Sequence, residues 1–317
     1  MKHYSSWWPL ILASSFVVTD ALAGPVVHYF APSPSDADGY NETFTFSADF
    51  PDGGFAQAQF GITNMGPGSG RALCRLFVDH PFAKWRGQEV VANDEWSYQK
   101  KPAGTLQIGK CRVTTTPRTE ITATTEQGEL RLTLHEELQV RAPKGEWNIG
   151  EFEFTTHVYA MAATADAQLI KPDGKVFRGP ARVWIEHSRA THSPDKFGRS
   201  WLRFRSLDDG PPVAGLVRNG AQGRTGAGWI LRADGTSEQY TGELAASPDA
   251  FVFKTDHDLL RLRRKGEPST YAPLREMGFL GRVLGAVVGD VELSSSQGLW
   301  IRGTEQRPIR IDTTDFR

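Results

Sequence analysis

Cysteine is nearly absent from this chain. Its 317 residues include two, Cys74 and Cys111, and neither has another cysteine at CxxC or CxxxC spacing. That excludes a cysteine-based metal site and a thioredoxin-like redox motif. An excess of one charge is missing too. Lys and Arg number 36 against 37 Asp and Glu, for a net charge of −1, so nothing marks the chain as a nucleic-acid or anionic-membrane binder. It has no glycine-rich nucleotide loop, no HExxH and no GxSxG elbow. No cofactor and no metal are therefore expected, and a serine-hydrolase reading loses its main support.

A long apolar run is also lacking. The stretch from Trp7 to Val18 follows a weakly basic start (Lys2, His3) and precedes Ala21-Leu22-Ala23. It is too short for a spanning helix and reads as a signal peptide over residues 1–23, cleaved before Gly24. No cysteine stands at the cleavage point to carry a lipid. A periplasmic or secreted protein follows as the expectation, without stable membrane insertion. In such a compartment Cys74 and Cys111 are expected to form a disulfide. The loop so closed would restrict the unfolded chain by about 3–4 kcal/mol.

Short alternating segments dominate what is present. "TFTFSADF" (43–50) places Phe44, Phe46, Ala48 and Phe50 on one face, and "AQAQFGIT" (56–63) follows the turn "PDGG". "ALCRLFVD" (72–79), "TLQIGKCRVTT" (105–115), "TEITATTEQGELRLTLHEELQVR" (119–141) and "EFEFTTHVYAMAA" (151–163) continue at hairpin spacing. Period-two alternation, β-branched and aromatic enrichment, and Gly, Pro, Asn and Asp between segments all predict strands. The rhythm breaks at "IKPDGKVFRGPAR" (170–182) and then restarts, which predicts two β domains, 24–175 and 176–317. No repeat relates the halves. "TYAPLREMGFLGRVLGAVVGD" (270–290) has apolar residues at near-helical spacing but is interrupted by charge, which predicts a short surface helix running into a Gly-rich strand.

The densest chemistry lies in "WIEHSRATHSPDKFGRSWLRFRS" (184–206), with two histidines, a glutamate, an aspartate, two tryptophans and four arginines. His187 and His192 are five apart, which suits neither a zinc protease nor a finger. Glu186 and His187 are the candidate proton donors if the protein is an enzyme. Alternation, however, points adjacent strand residues to opposite faces. Closing the stretch as a hairpin sets Trp184 opposite Arg203 and Glu186 opposite Trp201. One face then carries Val183, Ile185, Leu202 and Phe204, with His187 at its edge. The other interleaves tryptophan with arginine and Glu186. Trp184, Glu186, His187, Trp201 and Arg203 are accordingly the candidate ligand-binding residues, as part of a network that also fixes the domain junction. Trp85, Trp96 and Tyr98 read as partly buried aromatics, and Asp256-His257-Asp258 as a solvated loop.

"EHSRATHSPDKFGRSWLRFRS", with "DGK" just before it, resembles the hallmark of the AttH-like lipocalin superfamily, which includes carotenoid 1,2-hydratases and survival-factor proteins. "NETFTFSADF...GFAQAQFGITN" and "QGLWIRG" resemble that group's opening and closing strands. The resemblance implies an all-β protein of two lipocalin-like (calycin) β-barrels packed together, with the motif opening the second. It also implies lipid-like or isoprenoid-like ligands, and in distant relatives hydration or cyclisation. The carotenoid hydratases carry an Asp-His-Asn-Trp-Gly type sequence where this chain has Glu186-His187-Ser188, without that aspartate and tryptophan. Three functions remain open: an exported binding protein for an apolar small molecule, a hydratase or cyclase working by general acid catalysis, and an envelope assembly or interaction module without a pocket.

Overall fold

The computed structural model describes residues 28–65, 69–101, 104–142, 154–193, 200–219, 225–247, 249–254, 259–276, 281 and 290–316. The signal-like segment, the loop 194–199 and Asp256-His257-Asp258 lie outside them. Strands β1 (Asn41–Asp49), β2 (Phe55–Thr63), β3 (Arg71–His80) and β4 (Ala83–Val91) form successive hairpins. The short strands β5 (Trp96–Gln99), β6 (Thr105–Ile108), β7 (Cys111–Thr114), β8 (Glu120–Thr125) and β9 (Gly128–Leu134) follow. Two long strands close the set, β10 (Phe154–Ile170) and β11 (Val176–Ala190). All eleven make one antiparallel sheet, ordered β4-β3-β2-β1-β11-β10-β9-β8-β7-β6-β5.

The sheet curls until its ends face each other. Cys74 on β3 is bonded to Cys111 on β7, as expected. The Lys110 amide donates to Glu89 of β4, and the Arg86 amide to Gln127 beyond β8. The curl brings the inward residues into one core, among them Tyr40, Phe44, Phe46, Phe60, Leu76, Val183 and Ile185. The result is a nearly closed barrel whose interior is packed side chain, with the alternating apolar face of each strand turned inward.

A second, closed barrel holds β12 (Ser200–Ser206), β13 (Val213–Asn219), β14 (Thr225–Arg232), β15 (Ser237–Ala246), β16 (Ala250–Lys254), β17 (Leu259–Tyr271), β18 (Val291–Arg302) and β19 (Glu305–Phe316). Leu202, Phe204, Ile230, Leu262, Trp300 and Ile311 fill it. Between β17 and β18 the described residues include a short helix, α1 (Pro273–Glu276), in the stretch where a surface helix was expected. Among the described residues no helix is long and apolar enough to cross a membrane. The chain is thus all-β and built of two lipocalin-like barrels.

The change of sheet falls elsewhere than at residue 176. "KPDGK" is the tight turn joining β10 to β11, closed by the Lys171 amide on the Lys175 carbonyl at 2.8 Å. β11 stays in the first sheet, held on both edges, by β1 (Phe44 opposite His187) and by β10 (His157 opposite His187). The second barrel begins only at Ser200. Glycine, proline and charge at that turn satisfy hairpin geometry and do not mark a linker.

Candidate functional site

Because both edges of β11 are taken, it does not pair with β12, and the expected Trp184–Ser206 hairpin does not form. β12 pairs with β13 and β19. The division of faces survives in another form. Val183, Ile185 and His187 point into the first barrel, and Leu202 and Phe204 into the second. The other faces of the two strands, Trp184, Glu186 and Ser188 against Trp201, Arg203 and Arg205, meet across the seam between the barrels. Trp184, Trp201, Trp229, Phe154, Met161, Leu216 and Leu231 form its apolar half. Phe154 meets Trp201 edge to face at 4.8 Å between ring centroids.

The polar half is ionic. Arg203 Nε donates to both Glu186 oxygens at 3.1 Å, and Ser188 Oγ to Glu186 Oε1 at 2.8 Å. Asp49 accepts from Arg205 Nε at 2.6 Å and from Arg310 Nε at 2.9 Å. Arg205 also pairs with Asp312, which accepts from Ser295 Oγ at 2.6 Å. Burial alone would raise the Asp49 carboxyl, but the Arg205 and Arg310 charges beside it outweigh that and hold it below the usual carboxylate range. Burial likewise works against the Arg205 charge, and Asp312 and Asp49 more than restore it. Desolvating such charges costs several kcal/mol per ion, so they persist only where every partner is in place. Glu186 and Asp49 of the first barrel are answered by arginines of the second, while Asp312 pairs with Arg205 within the second barrel.

Where the seam opens there is a cleft of about 200 Å³. The outer faces of β1, β2 and β3 wall it on one side through Thr43, Thr45, Gln59, Leu73 and Arg75. Trp201 and Arg203 of β12, Leu293 of β18 and Phe316 of β19 wall it on the other. Of the candidate ligand residues, Trp201 and Arg203 line this cleft. Trp184 and Glu186 line a small void deeper in the seam, which shares Arg203 with the cleft.

His187 is placed apart from all of them, in the first barrel. Its Nε2 donates to Glu42 Oε1 at 2.7 Å, and Phe44 stacks on its ring at 4.3 Å. Its Nδ1 lies 2.8 Å from the Tyr159 hydroxyl, within hydrogen-bond reach. Glu42 is fully buried and also accepts from the Tyr40 hydroxyl and, at 2.9 Å, from the Ser33 amide. Burial would raise its carboxyl, yet the hydrogen bonds and charge of His187, with those of Tyr40 and Ser33, keep it low. Burial and then Glu42 raise the Tyr159 hydroxyl, and burial with the His187 charge lowers His157. Tyr159 reaches this core where β10 slips register on β11. A second slip, between Ala160 and Ala163, spans Ala162 at φ 56°, as a bulge does when it re-aims a side chain.

The sequence reading missed Glu42, Tyr159, Asp49, Arg310 and Asp312. One signal was available: Glu42 shares strand parity with Phe44 and Phe46, so an acid stood on an apolar stripe. Among the described residues no cluster of three or more His, Cys, Asp or Glu is placed to hold a metal ion.

No family model matches the chain, and no curated protein matches it. Solved structures do. An AttH protein from Nitrosomonas europaea superposes with a TM-score of 0.66 over 95% of this chain and 99% of its own, at 12% identity. The chain has the AttH-like lipocalin fold. Kievitone hydratase from Nectria haematococca has the same fold at a TM-score of 0.59 and 9% identity, over 94% of each chain. CghA is similar at 0.50 and 12%, over 88% of each. In this fold the motif 184–206 spans two barrels: its first half ends the first sheet and its second half opens the second barrel.

Proposed function

We propose that the protein is an exported binding protein for a small lipid-like or isoprenoid-like molecule, held in the cleft between its barrels. One observation carries this reading: the cleft is walled by Trp201, Phe154, Phe316 and Leu293, while both candidate proton donors are engaged elsewhere. Glu186 is tied to Arg203 and Ser188, and His187 is enclosed by Glu42, Tyr159 and Phe44. An apolar wall with a few converging polar groups is the usual form of a ligand pocket. Export is supported by the N-terminal segment and by the disulfide, which persists in oxidising compartments. Organic-solvent extraction of the purified full chain, followed by mass spectrometry, tests the reading. A stoichiometric apolar compound is expected, and Thr43→Trp, whose indole fills the cleft, should lose it. Protein with no extractable compound, or with the same compound in Thr43→Trp, contradicts it.

The second reading is a hydratase or cyclase acting on an isoprenoid-like substrate, supported by a fold shared with kievitone hydratase. It requires Glu186 or His187 to deliver a proton. Glu186→Gln or His187→Ala would then abolish turnover while the protein stays folded. Folded variants with unchanged turnover would eliminate it.

A further inference from the structure

The charge lining the cleft is one-sided. Arg75 on β3 and Arg203 on β12 stand on its two facing walls, and no aspartate or glutamate is among its lining residues. The arginines are held differently. Arg203 spends its Nε on buried Glu186, and its side chain is 22% exposed. Among the described residues its two terminal nitrogens make no hydrogen bond, and the guanidinium lies 5.7 Å from the Trp201 ring centroid. Arg75 Nη1 donates to Gln59 Oε1 at 3.1 Å, and its guanidinium lies 5.9 Å from the centroid of the Tyr271 ring, contacts that orient it. A guanidinium fixed in this way offers charge-assisted hydrogen bonds to a carboxylate with little further ordering. A neutral hydrocarbon filling the same space would strip water from these groups and return nothing.

We infer that the cleft takes an amphipathic organic anion, a small carboxylate whose apolar body lies against Trp201 and whose head meets Arg75 and Arg203. This rests on the reading of the cleft as the ligand site. The polar edge of the cleft fits the head and its aromatic edge fits the body.

Calorimetric titration of the full chain with octanoate and with octanol, which share a chain and differ in charge, tests it. Octanoate should bind at least about tenfold more tightly, the scale of one charge-assisted contact. Its affinity should fall as salt rises, while that of octanol should not. Arg75→Gln should remove about tenfold from octanoate and leave octanol unchanged, and Thr43→Trp should abolish both. Equal binding of the two, with both lost in Thr43→Trp, would overturn the anion inference and leave the ligand site standing. Binding of neither, or binding untouched by Thr43→Trp, would overturn the ligand site and the inference together.

Discussion

Glu42 and Asp49 sit on one strand, seven residues apart, and point in opposite directions. Both are buried carboxylates held below their ordinary range, but their partners differ in kind. Glu42 faces the interior of the first barrel and is satisfied by a histidine, a tyrosine and a backbone amide. Asp49 faces the seam and is satisfied by two arginines, both from the second barrel. The first cluster belongs to a single barrel and joins one carboxylate to an imidazole, a hydroxyl and an amide. The second joins two barrels with charges that do not titrate in the working range. Folding of one barrel and docking of the other are thus secured by different chemistry on the two faces of β1.

The strongest way to break that contrast is to remove the centre of the seam. Arg205→Met leaves Asp49 short of one cation and Asp312 without its arginine, and should cost about 3–5 kcal/mol in denaturant unfolding. A loss below about 1 kcal/mol would mean that water enters the seam freely. The double variant Cys74→Ser with Cys111→Ser should cost about 3–4 kcal/mol through the freed unfolded chain. Its effect should add to that of Arg205→Met within about 0.5 kcal/mol, since the bridge lies within the first barrel and not at the seam.

Glu42→Gln sharpens the comparison from the other side, at an expected cost of about 1–3 kcal/mol for the weakened buried network. The folded Glu42 carboxyl lies below its ordinary value of 4.5. Its stabilising contribution is therefore complete above that pH and is lost as pH falls through the folded value. The acid limb of a stability–pH profile should flatten in Glu42→Gln and remain steep in wild type. Asp49 adds to the same limb only below its ordinary 3.8. The smallest effect belongs to Glu186→Gln. The amide retains an acceptor for Arg203, whose partly exposed head can rehydrate, so a loss of about 0.5–1.5 kcal/mol is expected.

Strand positions and the inward or outward sense of residues were legible because alternation is a local property. The parities of Phe44 and Phe46, of Ile185 and His187, and of Leu202 and Phe204 all hold in the fold. The bridge between Cys74 and Cys111 was legible from the even cysteine count together with the expectation of export. Pairing was not legible. The stretch from Trp184 to Ser206 has turn-forming residues at its middle and reads as a hairpin. Nothing local discloses that β1 and β10 already occupy both edges of β11. The same limit hid the Glu42 cluster, because the histidine it binds lies 145 positions away. The interleaved tryptophans and arginines were correctly noticed, yet they meet face to face across a seam and not side by side in one sheet.

The most direct test of the account is a crystal structure of the full chain grown with 8-bromooctanoate, read through the anomalous signal of bromine. The account predicts a single strong peak in the cleft between β1–β3 and β12, beside Trp201, with the carboxylate toward Arg75 and Arg203. A peak inside either barrel, or no ordered peak at saturating ligand, would contradict it.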